Sequence, residues 1–158
     1  MPDLARARAR EAKARADRQA STPVETAPER PVARVLVDVP LAHLDRPFDY
    51  LVPAKMHEQV VPGARVKVRF AGQDVDGFVL ERVERSDHEG RLAPLRRAVS
   101  AEPVLSAAVA RLSGLVAARY AGTRSDVLRL AVPARHATTE KQVSPPAEPA
   151  RVDRKSTR

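Results

Sequence analysis

The run Ala64-Arg65-Val66-Lys67-Val68-Arg69-Phe70 constrains the fold more than any other part of this chain. Its apolar residues recur every second position, so Val66, Val68 and Phe70 fall on one face of a strand and Arg65, Lys67 and Arg69 on the other. Pro62-Gly63 supplies a turn into it. The polar stretch Ala71-Gly72-Gln73-Asp74 leads out to Val75–Val83, which reads as a hairpin partner. Gly77 inside that partner predicts a bulge or a close backbone approach.

Two further strands precede the hairpin. Val35, Val37 and Val39 alternate with Leu36 and Asp38 up to Pro40, and Phe48-Asp49-Tyr50-Leu51-Val52 runs up to Pro53. After a loop over residues 86–90 and a connection over 91–99, Ser106 is a candidate N-cap. The helix it opens carries Val109, Leu112, Val116 and Tyr120 at helical spacing and stops at Gly122. A second short helix, Ser125 to Ala131, ends before Pro133. The fold class is therefore α+β: a small, bent antiparallel sheet or partial barrel followed by two short helices. Residues 1–32 form an Ala/Arg-rich basic tail and Pro-containing linker, 33–136 the folded domain, and 137–158 a second tail. Both tails are expected to be disordered, because Leu4 is the only large apolar side chain in the first twenty residues.

Charge limits the partner. Lys and Arg number 28 against 20 Asp and Glu, a formal net charge of +8, which favours a polyanion. With no cysteine, disulfides and thiol chemistry are excluded. No apolar run approaches the roughly 18 residues of a membrane span, and the N-terminus lacks an apolar signal core, so a cytoplasmic, nucleoid-associated protein is expected. No glycine is followed by lysine, which removes a phosphate loop. His43, His57, His88 and His136 are scattered without metal-ligand spacing. Asp74 and Asp76 share a strand face with no nucleophile near in sequence, and no Ser, His and Asp arrangement stands out. No catalytic residue, metal site or cofactor is expected in this chain.

Binding chemistry is present instead. Arg65, Lys67 and Arg69 lie about 7 Å apart along one strand face, close to the phosphate spacing of a single strand. The same stripe would also serve as a charged face that keeps the sheet soluble and guards its edge. Phe48-Asp49-Tyr50 sets an acid between two rings in a chain with few aromatics. An aromatic can stack on a base, and a carboxylate can accept from a sugar hydroxyl; alternatively, Phe48 and Tyr50 are core and Asp49 a solvated neighbour.

The ordered series Val39-Pro40-Leu41, Asp45-Arg46-Pro47-Phe48-Asp49-Tyr50-Leu51-Val52-Pro53, Val61–Phe70 and Gly77-Phe78-Val79 resembles the N-terminal 3′-DNA-binding domain of the PriA (primosomal protein N′) family. Ala101–Ser106, Arg119-Tyr120 and Asp126–Pro133 continue the match, which covers roughly residues 33–133. The resemblance implies a module that recognises the 3′ end of the nascent leading strand at a stalled fork. It implies a pocket for the terminal nucleotide formed by Phe48 and Asp49, joined by a glycine, here Gly72. The family pocket also uses a lysine, which aligns with Ala93 or a neighbour. No lysine occurs between Lys67 and Lys141. The family continues into a helicase core that binds ATP and zinc; this chain has neither, which implies a fragment, a truncated product, or partner domains on another chain.

The expected function is thus a DNA-binding module for 3′ ends in primosome assembly and replication restart, and not an enzyme. Phe48, Asp49 and Gly72 are the expected end-binding residues, with Arg65, Lys67, Arg69, Arg91, Arg96 and Arg97 on phosphates. Its partners would be forked DNA with a free 3′ end and other primosome proteins or single-stranded DNA-binding protein, with no membrane. A non-specific basic nucleic-acid binder and a protein-interaction module for replication proteins are the alternatives.

Overall fold

A computed structural model describes residues 24–99, 102–136 and 138. Five strands form one open antiparallel sheet in the order β2-β1-β4-β3-β5, with β1 Val32–Val37, β2 Pro47–Leu51, β3 Arg65–Phe70, β4 Gln73–Val83 and β5 Arg97–Ala98. Helices α1 (Ala107–Tyr120) and α2 (Arg124–Ala131) follow. The expected α+β class is what the chain adopts.

The alternating strands bury apolar residues on both faces. Ala33, Val35 and Val37 of β1, Val66 and Val68 of β3 and Val79 of β4 pack with Tyr50, Val52, Val60 and Leu95. On the opposite face, Leu36 and Phe78 pack under Leu105, Leu128 and Val132 from the helical segment. Residues 93–98 span the sheet's two edges: Leu51 donates its N–H to the Ala93 carbonyl and accepts from Leu95, while Arg96 donates to the Lys67 carbonyl. Gly77 sits where a Cβ would lie 2.7 Å from Val35 Cγ1, so it is a close approach. The bulge falls further along β4, where Arg34 faces Glu81 but Val35 faces Val79. β3 and β4 join through Ala71 (φ 47°) and Gly72 (φ 82°), a two-residue turn with both φ values positive, tighter than the four-residue loop expected.

Three sequence expectations change. Residues 24–31 fall in the stretch assigned to the linker, yet Ala27 is buried and its N–H donates to the Val52 carbonyl at 2.8 Å. The segment is held through its backbone, which leaves no apolar signature. In α1 the helical-spacing pattern misplaces the packed face. Ser113 and Ala117 are buried, whereas Leu112 and Tyr120 are exposed, because small residues let the helix lie close. The left-handed cap of α1 is Ala121 (φ 52°), one residue before Gly122. Ser106 does cap α1, accepting from Val109 N–H at 3.3 Å. Residues 1–23 and 139–158, the bulk of both expected tails, lie outside the described residues.

Candidate nucleic-acid interface

β2 positions the site. Its alternation sends Phe48 and Tyr50 to the valine-rich core and Asp49 to the other face, opposite Arg34 of β1. Tyr50 is buried, its hydroxyl donating to the Arg69 carbonyl at 3.4 Å, and burial pushes its pKa up to about 12. It belongs to the core. Phe48 is half-buried and meets Phe70 edge to face, with ring centroids 4.9 Å apart. Its ring also carries the Arg46 guanidinium, 4.8 Å from the centroid.

A cleft of about 720 Å³ opens around the outer edge of β2, on the stretch before Leu51. Phe48 and Asp49 both line it although they point to opposite faces of the strand, together with Arg46, Arg69, Arg91 and Ala93. The Asp49 side chain is 13% exposed, recessed but reachable. Ser86 Oγ donates to Asp49 Oδ2 at 2.5 Å, and Arg34 Nε lies 3.6 Å from Oδ1. Arg34 also binds Glu81 at 2.9 Å and Asp87 at 2.7 Å. The hydrogen bond to Glu81, with the charges of Glu81, Asp49 and Asp87, holds its pKa above the ordinary arginine value. Arg34 is thereby committed to carboxylates, and Arg46 and Arg91 are the other cations of the cleft that face a phosphate without a carboxylate partner among the described residues, Arg69 being paired with Asp74.

The expected site residues are placed unevenly. Gly72 stands exposed at the tip of the β3–β4 turn and is not among the residues lining the cleft. Ala93, which with its neighbours is the expected place of the family lysine, does line it, as does Arg91. The cation stripe is intact on β3 but paired: Arg65 Nη2 donates to the Pro133 carbonyl at 2.8 Å, Lys67 meets Asp76 at 3.0 Å, and Arg69 meets Asp74 at 3.2 Å. Arg65 also lies over the Phe78 ring, 5.3 Å from its centroid. Arg96 shares Asp74 at 3.6 Å, and exposed Arg97 stands opposite Lys67 in the backbone register of β5 on β3.

Sequence reasoning missed Arg34, Arg46 and Ser86. Arg46 had a signal, since it stands two residues before Phe48 and so extends on the same side of an extended strand. Arg34 and Ser86 had none, because they reach Asp49 only through the register of β1 on β2 and the loop after β4. Among the described residues no cluster of acidic or imidazole groups could hold a metal, and no helix is long and apolar enough to cross a membrane.

The family model of the 3′DNA-binding domain (3′BD) of PriA matches residues 34–133. The chain belongs to this family. It is a DNA-binding module. Over 102 residues, 65% of this chain, it is 63% identical to the probable replication restart protein PriA of Mycobacterium tuberculosis, covering 16% of that protein. It is 61% identical over 100 residues to the probable PriA of Mycobacterium leprae, covering 15%, and 31% identical over 103 residues to the replication restart protein PriA of Bacillus subtilis, covering 13%. The chain therefore matches about one sixth of the length of its mycobacterial relatives.

Proposed function

We propose that this 3′DNA-binding domain recognises the 3′ end of the nascent strand at stalled forks and serves primosome assembly and replication restart. The observation that carries this reading is the recessed Asp49 carboxylate beside the Phe48 ring in an arginine-lined cleft. A carboxylate repels phosphates, so within a DNA site it is useful only where a hydroxyl donor meets it. A terminal 3′-hydroxyl is such a donor. Phe48, with Arg46 across its ring, offers a stacking platform for the terminal base. Arg91 then holds the adjoining phosphate, Arg65, Lys67, Arg69 and Arg96 contribute by exchanging protein partners for phosphate, and exposed Arg97 adds a further cation.

In this reading the chain binds without hydrolysing nucleotide and uses no cofactor of its own; ATP and zinc belong to the helicase part of the family. Its partners are forked DNA with a free 3′ end and other primosome proteins or single-stranded DNA-binding protein, in the cytoplasm at the nucleoid. The test is titration of paired duplexes identical except for a 3′-hydroxyl or a 3′-phosphate. The hydroxyl end should bind about tenfold tighter, because a 3′-phosphate brings negative charge against the recessed Asp49 carboxylate and offers it no hydroxyl donor. Asp49→Ala should erase that difference while leaving the salt-dependent affinity in place. Equal affinity for both ends would leave a non-specific binder. Affinity insensitive to salt would point to a protein partner instead.

A further inference from the structure

The end-binding reading leaves unexplained why the Asp49 carboxylate is already occupied. Ser86, on the loop that follows β4, donates its hydroxyl to Asp49 Oδ2. Ser86 Oγ itself accepts the N–H of His88 at 3.0 Å, which takes up one lone pair and leaves the hydroxyl proton directed at the carboxylate. Asp87, between them, is tied at 2.7 Å to Arg34, which itself approaches the other oxygen of Asp49. The 86–88 turn is thus fastened to Asp49 from both sides, and Ser86 is half-buried.

The group on Asp49 is an aliphatic hydroxyl, chemically the same donor that a 3′ end presents. We propose that Ser86 is a built-in surrogate for the 3′-hydroxyl, occupying Asp49 in the free protein and yielding it when a strand end enters. This rests on the end-binding reading of Asp49. It assigns Ser86 the role of a specificity-setting residue that acts through Asp49.

The physical consequence is an exchange. In the wild type a 3′-hydroxyl gains a bond to Asp49 while Ser86 loses its own, so the net gain is small. With alanine at 86 the recessed carboxylate loses its protein donor, and an incoming hydroxyl supplies a bond with nothing given up. A strand lacking the hydroxyl has no stake in the exchange.

The experiment compares the full chain with its Ser86→Ala and Ser86→Thr variants. Each is titrated with one primed duplex ending in a 3′-hydroxyl and with the same duplex ending in a 2′,3′-dideoxynucleotide. Ser86→Ala should tighten binding of the hydroxyl end about tenfold and leave the dideoxy end unchanged. Ser86→Thr, which keeps the hydroxyl, should return the wild-type ratio. If the wild type prefers the hydroxyl end but Ser86→Ala binds it equally or more weakly, Ser86 supports Asp49 rather than competing for it, and this inference alone fails. If Ser86→Ala weakens both ends together, the serine holds the loop and the inference also fails. If neither the wild type nor Ser86→Ala distinguishes the two ends, the end-binding reading is overturned and the surrogate with it.

Discussion

Arg82 of β4 is the residue on which the packing of residues 24–31 turns. Its guanidinium donates to the carbonyls of Glu29 at 2.6 Å and of Arg30 at 2.6 and 2.8 Å from Nη2 and Nε. On its other side it reaches the carbonyls of His57 at 3.0 Å and Val60 at 3.3 Å. Burial, with the nearby Arg30 charge, lowers its pKa, so the charge is held against a desolvation penalty that these acceptors offset. Arg82→Met keeps most of the aliphatic stem and removes the bonds. The lost charged hydrogen bonds, partly compensated by relief of that penalty, should destabilise the chain by about 2 kcal/mol. For a domain near 100 residues that lowers Tm by roughly 8–16 °C. Urea and thermal unfolding of the full chain measure it. A chain begun at residue 32 loses Glu29, Arg30 and the bonds of Ala27 N–H to the Val52 carbonyl and of Ala54 N–H to the Glu25 carbonyl. Because both perturbations remove the Arg82 bonds to Glu29 and Arg30, their effects should fall short of additive by at least about 0.5 kcal/mol. Arg82→Met within about 0.5 kcal/mol of wild type, or strict additivity, would refute the idea that the arginine staples this segment to the sheet.

Two further outcomes test the sheet itself. Ala71 adopts φ 47° in the β3–β4 turn, a left-handed conformation that Asn tolerates better than Ala, so Ala71→Asn should raise stability by about 0.5–1 kcal/mol in urea melts; a loss would contradict the assigned turn. Tyr50 is held neutral in the fold, so its contribution is fully present below pH 10.0, where the unfolded phenol is also protonated, and is lost as pH rises toward about 12. Tyr50→Phe should accordingly flatten the fall in stability across that window, and an unchanged alkaline slope would place the burden on other groups.

What could be read from the chain followed from side chains that report their own environment. β1, β2, β3 and β4 were legible because a strand packed on a core must alternate, and Ser106 because its hydroxyl serves the helix it opens. The features that escaped were those in which the chain is held by its backbone or by a distant partner. β5 is two residues long and exists through pairing with β3. The start of α2 is capped by Thr123, and also by Asp45 from the loop before β2, whose carboxylate accepts the Arg124 N–H at 3.0 Å from each oxygen. That second partner is 79 residues away and carries no local signature.

The same distinction separates the parts of the proposed DNA site. Phe48 and Asp49 are adjacent in sequence, and strand alternation should drive them apart; at the outer edge of β2 one cleft admits both faces. The motif is therefore informative only in combination with its place at the sheet margin. The stripe of Arg65, Lys67 and Arg69 shows the converse, since its spacing is preserved while Asp76, Asp74 and the Pro133 carbonyl occupy its charges. Each phosphate bound there must displace an existing partner. Arg91 lines the cleft itself, so a strand end seated on Asp49 would meet it without first opening β3 and β4. On the proposed end-binding reading, affinity for the terminus would then rest on Arg91 and affinity for the duplex behind it on the β3 stripe, so the two would be separable by mutation.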